Sequence, residues 1–195
     1  MRVKTSKKAI RALGIAESFK RSFEKAILAG VVMRSDFLID GFSFAKTTIT
    51  GDDATDSVIL LYKSLKREDV NLIMVSGVVI SMYNIVDVNR IFQETGKPVL
   101  AVTYRSSMGI EEAIKKHFPD NWERKLEAYR RLGPRKEIRL KTGFKIFVRN
   151  VGIDDFDSKI ILNKFTVFGK IPEPIRVARL LARSIMNRED FELIK

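Results

Sequence analysis

Apolar residues along this chain gather into short runs of strand length, separated by longer segments of helical period. Residues 12–19 make a first strand candidate, followed by a charged bend at 20–25. Residues 26–33 and 37–49 read as an antiparallel hairpin turning at Arg34, Ser35 and Asp36, with alternation in Phe37, Ile39 and, past Gly41, Phe42 and Phe44. Over 52–66, Val58, Leu61, Tyr62 and Leu65 recur at helical spacing, and Asp52 or Asp53 offers an amino-terminal cap. A fully apolar strand is predicted at 71–75 and a helix at 88–94 that stops at Gly96 and Pro98. Residues 99–103 are another short buried strand, and 109–117 and 122–132 look helical on either side of Phe118, Pro119 and Asp120. The pattern ends with a strand at 145–151, a helix at 154–163 and a helix at 175–187 opened by Pro172 and Pro174. In that last helix Val177, Leu180, Leu181 and Ile185 form the stripe expected to face the core.

A hairpin followed by alternating strands and helices predicts an α/β fold, a mixed sheet with helices on both faces. Residues 70–86 carry no charge, but their length barely reaches the lower limit of a membrane span. Asn71, Ser76, Ser81 and Asn84 interrupt them, so the segment reads as a buried strand followed by a turn. No repeat, low-complexity segment or Gly/Ser linker appears, and one domain over 1–195 is expected.

Charge changes the picture. Lys and Arg number 36 against 24 Asp and Glu, a net charge of +12, and such a surface attracts polyanions before any specific contact forms. Nucleic acid is the leading partner class. The chain has no cysteine and one histidine, His117, read as a helix-end residue. Disulfides, thiolate zinc sites, iron–sulfur clusters and two-histidine metal sites are thereby excluded within one chain. Residues 1–11 are basic and lack the long apolar core of a secretion signal, so a cytoplasmic location is the expectation. Neither a P-loop nor a dinucleotide-binding glycine fingerprint occurs, and no organic cofactor is expected. Ser22 with Lys25 and Lys141-Thr142-Gly143 match short serine-acyltransferase signatures, but no Ser-Asp-Asn element accompanies them.

Acid–base or metal chemistry must then rest on carboxylates. Glu17 lies near the end of the first strand. Asp52, Asp53 and Asp56 crowd the start of the next helix, with Asp52 and Asp56 on one face. Magnesium would offset their repulsion, and so would simple capping of the helix dipole. Asp154, Asp155 and Asp157 open a later helix and admit the same two readings. If the sheet brought Glu17, Asp56 and Asp154 or Asp155 together, they would make a two-metal phosphodiester site. Basic residues concentrate in Arg124, Lys125, Arg130, Arg131, Arg135, Lys136, Arg139 and Lys141, a phosphate-tracking surface if they line a groove. Trp122 and Tyr129 stand among them, as base-stacking platforms or as anchors to the core. Arg176, Arg179 and Arg183 recur on the last helix, as phosphate clamps or as a solvated face.

The run from Gly169 through Pro172-Glu173-Pro174-Ile175-Arg176-Val177-Ala178 resembles the Pro-Glu-Pro-x-Arg-x-Ala ending of endonuclease V. With Gly14-Ile15, the stretch from Thr50 to Asp56, Ser76-Gly77-Val78, Asn84, Asp87 and Pro98-Val99, the chain is similar to an uncharacterised, largely archaeal family distantly related to that enzyme. The likeness spans about Arg11 to Asn187. It implies a ribonuclease H-like fold with a five-stranded mixed sheet, beginning with an antiparallel hairpin and continuing in parallel strands.

The resemblance also implies magnesium- or manganese-dependent cleavage near a deaminated purine, by an Asp on the first strand, a Glu in the following helix region and an Asp in an Asp-Gly motif. Here Ala16 stands at the first position with Glu17 beside it, Ser76 stands in the Asp-Gly position, and Asp56 falls near the helix acid. Catalysis or metal binding therefore falls to Glu17 and Asp56, with Asp154 or Asp155, and Arg176 joins the basic residues expected to bind nucleic acid. The leading expectation is a nucleic-acid-binding protein on a nuclease-derived scaffold with a degenerate metal site. A metal-dependent endonuclease acting on deaminated or otherwise modified nucleic acid and a non-catalytic assembly partner are the alternatives.

Overall fold

The computed structural model describes residues 9–106 and 109–188, so most of the basic amino-terminal segment lies outside the described residues. Strands β1 (Arg11–Ser18), β2 (Lys25–Arg34) and β3 (Ile39–Thr48) run as an antiparallel meander. Next come α1 (Ala54–Ser64), β4 (Leu72–Val75), a two-residue hairpin of β5 (Val79–Ile80) and β6 (Asn84–Ile85), α2 (Val88–Thr95) and β7 (Val99–Thr103). The chain continues with α3 (Glu111–His117), α4 (Trp122–Arg131), β8 (Lys136–Arg139), β9 (Lys145–Val151), α5 (Asp155–Phe165) and α6 (Glu173–Met186).

Seven strands form one mixed sheet in the order β3-β2-β1-β4-β7-β9-β8, two more than the five expected. β4 runs parallel to both β1 and β7, as expected after the hairpin. β9 then reverses, pairing antiparallel to β7 and to β8. The helices cover both faces. On one, Leu13, Ile15, Ile73, Val75 and Ala101 pack with α1, α2 and Leu132. On the other, Ala12, Ala16, Met74 and Val102 pack with Ile161, Leu162 and Phe165 of α5 and with Ile175 and Ala178 of α6. Successive strand residues alternate between these cores, which is why β1 and β4 read as almost continuously apolar.

Helix α6 lies unusually close to β1. A Cβ added at Gly14 would stand 2.2 Å from the Pro174 carbonyl carbon, so the first turn of the helix rests on bare strand backbone. That proximity decides which face of α6 is buried. Ile175, Ala178, Ala182 and Met186 turn inward, whereas Leu180, expected in the core stripe, is 60% exposed. Ala178 and Ala182 are small enough for the middle of a helix seated this low, and Leu180, between them in sequence, falls on the opposite side. α6 crosses β1 and β2, and on β3 beyond them Phe42 and Phe44 stand 52% and 44% exposed. Among the described residues no helix is long and apolar enough to cross a membrane, and residues 70–86 are instead β4 followed by the small hairpin.

Candidate nucleic-acid cleft

The carboxyl ends of parallel strands are where α/β sheets place ligands, because the chain leaves the sheet there in loops and exposes unpaired backbone. In this molecule β1, β4 and β7 end together at Glu17, Ser76 and Tyr104. A cavity of about 360 Å³ opens beside the last two. Its lining includes Ser76, Thr103, Tyr104, Tyr129 and four arginines, Arg105, Arg135, Arg149 and Arg179, and no acidic residue.

Three of the four arginines are held at the cavity by identifiable contacts. Arg149 lies within β9 between Val148 and Asn150, is 7% exposed, donates from Nε to the Gly133 carbonyl at 2.9 Å and lies over the Tyr129 ring at 5.1 Å. Arg135 precedes β8, lies over the Phe147 ring and donates to Thr103 Oγ1 at 3.4 Å. Arg179 rises from the middle of α6, lies 5.5 Å from the Tyr104 ring centre and donates to Ser76 Oγ at 2.8 Å. Neither Arg149 nor Arg179 forms a salt bridge with a carboxylate among the described residues. Stacking and carbonyl or hydroxyl acceptors orient these cations without neutralising them. Burial pushes the Tyr104 phenol up to about 12, against the opposing pull of Arg179 and Ser76. Its hydroxyl is sealed from solvent and has no hydrogen-bond partner of proper geometry.

The predicted carboxylates do not converge. Glu17 is on β1, but the two-residue period of a strand turns it to the face opposite Ala16. Ala16 packs beneath α6 and α5, whereas Glu17 turns toward α1 and accepts hydrogen bonds from the Ser81 amide, at 2.6 Å, and the Ser81 hydroxyl. Residues 81–83 all have positive φ, a left-handed turn that non-glycine residues adopt only when held, and Glu17 is one of the groups holding it. Burial raises the Glu17 pKa, and the Ser81 hydrogen bonds and the Arg179 charge pull it partly back.

Asp56 is exposed on α1 and pairs with Arg90 of α2 at 2.5 Å. Asp53 binds Thr47, Thr48 and Asn84. Asp154 caps α5 by accepting from the Asp157 amide at 2.8 Å, and Asp155 pairs with Lys136 and Asn150. Because β9 is antiparallel to β7, Val151 lies opposite Val99, the first residue of β7. Asp154 and Asp155 therefore follow β9 out of the far end of the sheet, where its last residue, Val151, already stands four residue steps along the strands from the level of Glu17, about 13 Å. Among the described residues no group of three His, Cys, Asp or Glu could hold a metal ion. This donor set does not fit a two-metal site.

The basic run is divided as well. Lys125 is 3% exposed and donates to the carbonyls of Thr50, Gly51 and Tyr83 and to Asp52 at 2.8 Å, beneath the Phe118 ring, so it ties α4 to the body and offers no charge to a surface ligand. Arg124 lies 3.7 Å from Asp52, Arg130 pairs with Glu111, Arg131 with Glu127, Lys136 with Asp155 and Arg176 with Glu173. Arg139 and Lys141 are exposed. Trp122 is half-buried under Lys115, while Tyr129 packs against the core and lines the cavity. Sequence reasoning left Arg105, Arg149 and Tyr104 out of the site altogether. An arginine inside an apolar strand, as at 149, was the one available signal, since such a group is placed there only with a specific partner or purpose.

Residues 8–186 match the family model described as Endonuclease dU. The chain belongs to the endonuclease dU family. A UPF0215 protein of Pyrobaculum calidifontis is 40% identical over 174 residues, covering 89% of this chain and 95% of that protein. A solved structure from Archaeoglobus fulgidus superposes with a TM-score of 0.79 at 28% identity, over 92% of this chain and 99% of that one. Endonuclease V of Ciona intestinalis, in complex with a 24mer DNA containing an inosine followed by a ribo-adenosine, superposes with a TM-score of 0.61 at 14% identity, over 96% and 88%. At that identity the likeness establishes the fold alone: this endonuclease dU family member has the endonuclease V-like, ribonuclease H-like sheet that its sequence led us to expect.

Proposed function

We propose that the chain binds nucleic-acid strands and draws one nucleotide into the cleft at the ends of β4 and β7. The observation that carries this reading is the cavity itself, about 360 Å³, lined by four arginines and two tyrosines and free of acidic residues. A volume of that order suits a small-molecule-sized group. The Arg149 and Arg179 guanidinium groups, without a carboxylate salt bridge among the described residues, favour phosphate, and an aromatic face accepts an unstacked base. The net charge of +12 supplies long-range attraction, and Arg139 and Lys141 extend the basic surface beyond the cleft. DNA and RNA share this chemistry.

Strand cleavage at a deaminated nucleotide is the second reading, and the family description favours it. Glu17 is then the candidate proton-transfer group, because burial holds it nearer neutrality than an ordinary carboxylate. Magnesium or manganese, implied by the likeness to endonuclease V, finds too few carboxylates in the described residues to supply a two-metal mechanism.

The test is fluorescence anisotropy with labelled single-stranded DNA and RNA carrying a central deoxyuridine, inosine or ordinary base, across a salt series, with gel analysis of the same mixtures. The expected result is binding that weakens steeply with salt and drops at least tenfold in Arg149→Ala. Absence of binding, or binding indifferent to salt and to Arg149→Ala, would refute the reading. Cleavage by the wild type, absent from Glu17→Gln, would establish the second.

A further inference from the structure

We propose that Arg179 does in this cleft what a divalent cation does in a metal-dependent nuclease, holding the strand's phosphate by a guanidinium, so that the anion is bound without metal. The inference rests on the reading of the cleft as a nucleic-acid site and names the group that receives the phosphate.

Four observations carry it. First, Ala16 and Ser76, at the ends of adjacent parallel strands, face α6, and neither is a metal ligand of useful strength. Second, the cation opposite them is supplied by the protein: Arg179 donates to Ser76 Oγ at 2.8 Å, and that hydroxyl occupies only part of its donor capacity. Third, Arg179 has no carboxylate salt bridge among the described residues, so its positive charge remains available to an incoming anion. Fourth, the Tyr104 hydroxyl, under the same guanidinium and on a residue that lines the cavity, is buried beside the Ser76 hydroxyl without a hydrogen bond of proper geometry. A hydroxyl so poorly bonded costs free energy, and a phosphate oxygen brought against it would accept from tyrosine and arginine together. Glu17 approaches from the other face, close enough to feel the Arg179 charge, with its Oε2 held by Ser81. One carboxylate beside one hydroxyl is too small a donor set to hold a divalent cation.

The experiment measures affinity of the full chain for a labelled deoxyuridine-containing single strand in EDTA and in millimolar magnesium or manganese. Calorimetric titration with manganese alone runs beside it. Expected are affinities equal within about twofold in the two conditions and no manganese binding. Arg179→Ala should lose at least tenfold in both conditions, Arg179→Lys should recover part, and Tyr104→Phe should lose several-fold with its fold intact by circular dichroism.

Wild-type binding that requires metal, manganese binding abolished in Glu17→Gln, or full affinity in both Arg179→Ala and Tyr104→Phe would overturn the proposal. If no strand binds at all, the proposed function fails, and the anion site is read separately with inorganic phosphate. Phosphate should then raise the unfolding midpoint of the wild type, and raise it less in Tyr104→Phe and Arg179→Lys. Equal shifts in all three, or none in the wild type, would remove the site.

Discussion

Replacing Gly14 by alanine tests whether the seating of α6 and the position of Arg179 are one property. The added methyl would meet the Pro174 carbonyl carbon at 2.2 Å, its oxygen at 2.5 Å and the Ile175 nitrogen at 2.6 Å, all backbone atoms that no rotamer change can move. Restoring an ordinary 3.4 Å contact requires the helix to withdraw by about 1.2 Å (3.4 minus 2.2). A radial gap of ~0.5–1 Å already forfeits a quarter to a half of each dispersion contact. Overpacking of this kind costs ~1–3 kcal/mol, and the rigidity of both surfaces places Gly14→Ala near the upper end.

Arg179 stands five residues past Pro174, about 7.5 Å along the helix axis, and moves with it. A withdrawal of that size breaks its 2.8 Å hydrogen bond to Ser76. Denaturant unfolding should show a midpoint shift equivalent to ~2–3 kcal/mol, and anisotropy, read where the variant is still folded, should show a loss of strand affinity approaching that of Arg179→Ala. A stability change within ~0.5 kcal/mol would refute the packing argument. Loss of stability with wild-type affinity would refute the coupling.

Other expected outcomes concern charge. At Asp53, burial opposes ionisation, but hydrogen bonds from Thr48, Asn84 and Thr47 outweigh it and lower the pKa to about 2. Its stabilisation is thus present above the ordinary pKa of 3.8 and lost as pH falls toward 2, and Asp53→Asn should be less stable at pH 6 by ~1 kcal/mol after discount for a side chain 39% exposed, with the gap closing by pH 2 in urea melts. Glu17 has the opposite sign: its pKa is raised by burial, so ionisation costs stability as pH rises through the folded value. Glu17→Gln, whose amide oxygen still accepts from Ser81, should remove that loss, and an unchanged pH slope in paired melts would count against the burial argument. Lys125→Ala leaves three carbonyls unserved and Asp52 with Arg124 alone, and should destabilise by ~3 kcal/mol, without altering the slope of strand affinity against salt in the folded fraction.

Much of the sheet was legible because burial on both faces writes continuous apolar runs. Residues 99–103 and 145–151 were bounded to the residue. β8 escaped because a four-residue edge strand buries only Ile138 and otherwise shows charge to solvent. The β5–β6 hairpin escaped because two-residue strands have no period. The candidate site was read less well for a topological reason. Periodicity says that 145–151 is a strand but not which way it runs, and its reversal sends Asp154 and Asp155 to the wrong end of the sheet while bringing Arg149 into the cleft. Glu17 stands one position past Ala16, which in a strand means the opposite face.

The two ends of the sheet also have different manners toward other molecules. β8 presents Lys136, Glu137 and Arg139 at one edge, charges that discourage backbone pairing with a stranger. β3, at the other, presents ten residues of strand with Phe42 and Phe44 outward beyond the reach of α6. In concentrated solution, then, self-association should run through the β3 side of the described residues, and Phe42→Lys or Phe44→Lys would be the simplest way to keep the protein dispersed while leaving the cleft, three to four strands away across the sheet, untouched.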